Sequence, residues 1–176
     1  MTDRRRGGGG SWLRTAAVLC AALSLAACSA TDTADTTDRT TDVTLEEAKA
    51  KLLALQHEII GMVPQDLVVS LFVSDTSSLL SCDGENQKKW AGTGQVELQP
   101  GLDRDKFLDD VRDRVSGQSG WTAKDGQDGD GARTVEILHD DGTHLIVGIW
   151  DGPESLQIDG FSACFDFPEY QYGEKY

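Results

Sequence analysis

The chain has 176 residues, 39% of them hydrophobic, and sets 16 Lys and Arg against 30 Asp and Glu for a formal net charge of −14. That length accommodates one domain with appendages; removal of a leader ending before Cys28 takes away four arginines and one aspartate, leaving 12 cations against 29 acids, or −17. An acidic field of that size repels phosphate backbones and anionic headgroups, which argues against nucleic acid as a partner and against peripheral adhesion to lipid.

Arg4, Arg5 and Arg6 make a positive start, Gly7 to Ser11 a flexible spacer, and Ala16 to Ala27 an apolar run of about a dozen residues. A bilayer core takes about 20 residues to cross, so residues 1–27 read as a signal peptide. The run ends in Leu25-Ala26-Ala27-Cys28, which matches the lipobox of bacterial lipoproteins. In that class the Cys thiol is alkylated with diacylglycerol and a dedicated peptidase cuts before it, so Cys28 is the expected lipidation site. The alternative is an ordinary secretory signal with a free Cys28. The glycine spacer lacks the hydrophobic residues expected after a twin-arginine pair, which points to general secretion. Acyl chains that bury many CH2 groups at about 0.8 kcal/mol each hold such a protein stably on a membrane. Residues 28–43 are almost wholly Ser, Ala, Thr and Asp after the cysteine, a composition that cannot offset ordering entropy, and a disordered stalk is expected. O-glycosylation of its threonines is a hypothesis that this composition allows.

The folded domain is expected over 44–168. Thr44-Leu45-Glu46-Glu47 has the form of a capping box, and Leu45, Ala48, Leu52, Leu55 and Ile59 then recur at helical spacing until Gly61 and Pro64 stop the helix. Leu67 to Val73, Leu79 to Cys82 and Trp90 to Leu98 read as strands. Asp103 caps a second helix, with Leu102 and Phe107 as a hydrophobic staple and Phe107, Leu108, Val111 and Val115 as its buried stripe. Trp121 to Lys124 starts another strand. Arg133 to His139 and Thr143 to Trp150 flank Asp141-Gly142, a two-residue turn that demands positive φ and marks a hairpin. After the turn Asp151-Gly152-Pro153, Leu156 to Phe167 returns as a final strand. The order implies an α+β fold: one antiparallel sheet of about four to six strands with two helices packed on one face. Residues 169–176, rich in tyrosine and polar groups, are expected to form a flexible tail.

With Cys20 in the leader and Cys28 lipidated, Cys82 and Cys164 remain, and an even pair in an exported domain reads as a disulfide. Two free thiols or a metal pair is the competing reading. The Cys28 lipobox, the Leu80-Ser81-Cys82-Asp83 segment, the acid-capped helix and the closing hairpin with Ala163-Cys164-Phe165 together resemble the small envelope lipoproteins of mycobacteria and related actinobacteria, the LppA-like family. That likeness lies in layout and implies an envelope lipoprotein; it carries over no catalytic residue.

Chemistry-bearing residues are few. His139 and His144 flank the hairpin turn beside Asp140 and Asp141, a sparse donor set for a metal, and His57 sits at the polar edge of the first helix. Asp125, Asp128 and Asp130 lie on a glycine-rich loop and offer the hard oxygens that calcium prefers, but the spacing departs from the EF-hand and no bidentate Glu follows. Gly-x-Ser-x-Gly, Ser-x-x-Lys and His-Glu-x-x-His are absent from the sequence. Trp90, Trp121 and Trp150 fall at strand ends, as core plugs or as an aromatic binding patch would. The function expected is a non-catalytic, lipid-anchored extracytoplasmic module, needing no cofactor, that binds an envelope protein, glycan or small molecule. The alternatives are an extracytoplasmic enzyme or enzyme inhibitor, and a calcium-dependent module.

Overall fold

The computed structural model describes residues 43–176. The leader, Cys28 and all but the last residue of the expected stalk therefore lie outside the described residues.

Thr44 caps helix α1 (Leu45–Ile60): its hydroxyl accepts from the Glu47 amide while the Glu47 carboxylate accepts from the Thr44 amide, the capping box read from the sequence. Asp103 does the same for α2 (Arg104–Ser116), accepting from the Lys106 amide. The strands in chain order are β1 (Val68–Val73), β2 (Leu79–Ser81), β3 (Gln87–Leu98), β4 (Trp121–Gln127), β5 (Arg133–His139), β6 (His144–Trp150), β7 (Ser155–Phe161) and β8 (Phe165–Asp166). All pairings are antiparallel, and the main path runs β1-β3-β7-β6-β5-β4.

The α+β class with two helices and one antiparallel sheet stands, but the sheet has eight strands rather than four to six. The sheet grows because β3, which is twice the usual length, brings the expected short strand β2 and the additional β8 into it. Its second half, from Ala91, pairs with β7 and β1, and its first half, Gln87–Trp90, extends beyond them to take up the short strands β2 and β8. The single closing strand expected over Leu156 to Phe167 is broken into β7 and β8 at Ser162–Cys164, where the Ser162 hydroxyl accepts from the Trp90 amide. Cys82 and Cys164 are disulfide-bonded, with Cα atoms 6.4 Å apart, tying the end of β2 to the start of β8.

Along each strand every second residue faces the helices. Val96 and Leu98 of β3, Leu156 and Ile158 of β7, Leu145 and Val147 of β6 and Val135 and Ile137 of β5 form one buried layer against Leu52, Leu55 and Ile59 of α1 and Leu108, Val111 and Val115 of α2. Helix α1 lies over β3 and β7, and α2 over β4, β5 and β6. Gly94 and Gly160 let α1 come close: a Cβ on Gly160 would sit 2.6 Å from Leu52 Cδ1. Into the same gap Gln56 sends its side-chain amide to the carbonyls of Gly92 and Ile158.

Residues 169–176 make specific contacts. Tyr176 exchanges backbone hydrogen bonds with Ser77, its carbonyl accepts from the Trp90 indole at 2.9 Å, and its ring meets Phe167 edge to face.

Candidate functional site

Both helices lie on one face of the sheet, and the other face carries side chains in rows set by the strand register. One row runs Thr122, Leu138, His144, Phe161 and Ala91; the next runs Lys124, Glu136, Ile146, Asp159 and Thr93. Asp159 of the second row is held from two sides: Thr93 of the same row donates its hydroxyl to Oδ1 at 2.9 Å, and Gln157 of the row beyond donates to Oδ2 at 2.8 Å.

At the end of this face nearest the β5–β6 turn lies a cleft of about 580 Å³, lined by Lys89, Thr122, Lys124, Glu136, Leu138 and His144 among others. Its floor includes Leu138, half of whose surface is open to solvent. Phe161 stacks on His144 with ring centroids 6.1 Å apart, and Lys89 Nζ stands 5.5 Å over the Phe161 ring. Lys124 Nζ lies 2.9 Å from Glu136 Oε2, and this hydrogen bond and charge, with a further contribution from His144, hold the Glu136 carboxyl below its ordinary range. The Lys89 ammonium, the His144 imidazole and an apolar floor beside the Lys124–Glu136 pair suit a ligand that presents an anionic group to Lys89 on an apolar or ring-bearing body.

The residues singled out from the sequence are scattered by the fold. Trp90 is fully buried against Lys49 of α1 and serves the core. Trp121 is half-buried on the helix side, 4.6 Å from the His139 ring and capped by Lys51. Trp150 lies on the open side, its ring covering Gly148 and its indole N–H donating to Asp128 Oδ2 at 3.1 Å. The three rings do not make a common patch.

His139 and His144 point to opposite faces of the sheet, because Trp121 is the partner of His139 and Leu138 is the partner of His144. His139 Nδ1 is 3.0 Å from Asp141 Oδ1 and 2.8 Å from Lys51 Nζ, and Lys51 also meets Asp141 Oδ2 at 2.6 Å. Burial alone would raise the Asp141 carboxyl. Hydrogen bonds from Lys51 and from the Thr143 amide and hydroxyl outweigh it and hold the group well below the usual carboxylate range. This cluster clamps α1 to the hairpin. His57 is exposed on α1, and Asp140 is exposed beside the turn.

The three loop aspartates also part company. Asp125 belongs to β4 and pairs with Arg133 at 2.6 Å and Arg112 at 2.9 Å, which lower its carboxyl. Asp128 Oδ1 accepts from the amides of Asp130 and Ala132 and closes the β4–β5 turn, while Asp130 stays exposed. Among the described residues no group of three or more His, Cys, Asp or Glu is placed to hold a metal ion, and no helix is long and apolar enough to cross a membrane. No family model, curated protein or solved structure matches this chain.

The cleft residues Lys89, Lys124, Glu136 and Leu138, and Phe161 beside them, were not among those the sequence picked out. A usable signal was present: the Asp141-Gly142 turn sets the hairpin register, and that register puts Leu138 opposite His144 and Glu136 opposite Ile146. Lys89 and Phe161 arrive from β3 and β7, whose pairing no local pattern gives.

Proposed function

We propose that this protein is a non-catalytic envelope lipoprotein, anchored through Cys28 on the extracytoplasmic side, which binds a small molecule bearing an anionic group on an apolar body in the open-face cleft. One observation carries the binding part: a sheet face that no helix covers among the described residues holds a cleft of about 580 Å³ in which Lys89 stands beside the Lys124–Glu136 ion pair, on a chain of net charge −14. That volume falls within the range of small-molecule sites, roughly 300 to 1,000 Å³. The anchoring part is supported by Leu25-Ala26-Ala27-Cys28 and by the Cys82–Cys164 bridge, since disulfides persist in oxidising compartments. The calcium alternative loses support, because Asp125 is held by two arginines and Asp128 by two backbone amides and an indole.

The mature lipoprotein is to be incubated with an envelope extract, desalted and measured by native mass spectrometry. A small anionic species retained by the wild type and lost from the double variant Lys89→Glu, Leu138→Glu is expected; equal retention by both, or none by either, overturns the cleft. Anchoring is tested separately. Cys28→Ala is expected to move the protein out of the detergent phase, and unchanged partitioning overturns lipidation.

A further inference from the structure

The open-face cleft holds one unpaired cation and a neighbour able to become a second. Lys89 stands 5.5 Å over the Phe161 ring, and its ammonium forms no ion pair or hydrogen bond among the described residues. Lys124 is already taken by Glu136 at 2.9 Å, so with that pair cancelled the wall of the cleft carries the single charge of Lys89.

His144 lines the same cleft and stacks on the other side of this group, its ring 6.1 Å from that of Phe161. Neither of its ring nitrogens has a hydrogen-bond partner among the described residues. A histidine that holds the fold together spends its nitrogens, as His139 does against Lys51 and Asp141 on the helix side. Histidine is also the side chain that gains its proton between pH 8 and 5, a range in which carboxylates and ammonium groups keep their charge. The charged groups around the His144 ring come from four strands. β5 brings Glu136, kept ionised by the hydrogen bond and charge of Lys124, and β4 brings Lys124 itself. β3 brings Lys89, and β7 brings Asp159 one row further on, fixed by Thr93 and Gln157. Asp140 of the turn lies beside Gly120 instead, and both helices are on the opposite face.

We infer that His144 is the second anion-binding residue of the cleft and is recruited by the ligand itself: an anion seated against Lys89 draws a proton onto His144, so binding takes up a proton and tightens as pH falls. This rests on the cleft reading above and states what governs that site. The sign follows from Coulomb's law. An anion a few ångström away favours the imidazolium over the imidazole, and by linkage the protonated cleft prefers the anion by the same factor. The Phe161 face acts in the same direction, because an aromatic ring attracts a stacked cation more than a neutral ring. A neutral molecule of the same shape gains nothing from the proton, so charge and not shape sets the response to pH.

The test titrates the mature lipoprotein in nonionic detergent by calorimetry, with protein-free micelles as the blank. One probe is naphthalene-2-sulfonate, an anion throughout, and the other is the neutral naphthalene-2-sulfonamide. Runs at pH 6.5 in two buffers of different ionisation enthalpy count the protons taken up per ligand bound. The wild type is expected to take up a fraction of a proton with the sulfonate and to bind it about three- to tenfold more tightly at pH 5.5 than at pH 8. His144→Gln should lose both the uptake and the tightening. His144→Lys, a permanent cation, should bind tightly at both pH values without uptake, and the sulfonamide should show no uptake with any of the three proteins. Sulfonate binding that Lys89→Glu, Leu138→Glu abolishes, but that takes up no proton or still takes one up in His144→Gln, overturns the inference and leaves the cleft standing. No sulfonate binding, or binding indifferent to that double variant, overturns the cleft and the inference together.

Discussion

At the level of single residues, the positions with local grammar were readable and those that depend on a neighbouring strand were not. Thr44, Glu47 and Asp103 declare themselves because a cap needs a short oxygen-bearing side chain just before an apolar periodicity. Gln56 gives no such sign. It is polar and mid-helix, yet fully buried, because Gly92 and Gly94 of β3 leave a gap in which strand carbonyls accept its amide. Gly160 follows the same logic from the other side, since nothing in its own strand marks it as the seat of Leu52. Gly160→Ala is expected to destabilise the protein by about 1 to 3 kcal/mol, because Leu52 is fully buried and has no space to retreat into. Leu52→Ala alone should cost about 2 to 5 kcal/mol. The two changes together should cost clearly less than their sum, because the smaller side chain admits the new methyl group. Urea denaturation of the four proteins checks this, and strict additivity would show that the close approach is not what Gly160 provides.

Among the elements, both helices and the hairpin of β5 and β6 fall where periodicity and turn chemistry put them. The differences concentrate in polar strand segments. Gln87, Lys88 and Lys89 look like loop, but they continue β3 past its partners and give β2 and β8 something to pair with. Asp125 to Gln127 also look like loop, yet they are strand because Arg112 and Arg133 neutralise Asp125 at the edge. Short outlying strands of this kind gain little from their own burial, so the covalent tie between them carries weight. The Cys82–Cys164 bridge spans 82 residues, and constraining an unfolded loop of that size is worth up to about 4.5 kcal/mol in the chain-entropy model. Cys82→Ala with Cys164→Ala should therefore lower the midpoint of thermal unfolding substantially, and added reductant should shift the wild type in the same direction while leaving the double variant where it is. A wild type indifferent to reductant after full thiol exposure would refute that assignment of stability.

Taken as a whole the molecule is acidic, and by net charge alone acid would relieve its self-repulsion and stabilise it. The individual carboxyls argue the opposite. Glu47, Asp109, Asp125, Glu136, Asp141 and Asp151 are all held below their ordinary range by hydrogen bonds and neighbouring cations, and among the described residues no carboxyl has a resolved shift upward. A carboxyl whose folded-state pKa is depressed contributes stability that is complete above its unfolded value, about 4, and is lost as pH falls towards the folded value. Between the two values the unfolded chain binds more protons than the folded one, so acid drives unfolding. Most of these groups are exposed and their pairs are screened by solvent, which leaves Asp141 as the main local contributor because Lys51, Thr143 and His139 surround it in a half-buried setting. The thermal midpoint is expected to hold from pH 7 to about 5 and then fall steadily towards pH 2.5. Asp141→Asn should lose on the order of 1 kcal/mol at pH 7, and its decline with acid should be shallower than that of the wild type, so that the two curves converge at low pH. A wild-type midpoint that rises between pH 5 and pH 3 would mean that net repulsion outweighs the paired carboxylates, and parallel curves would mean that Asp141 is not the group whose protonation matters.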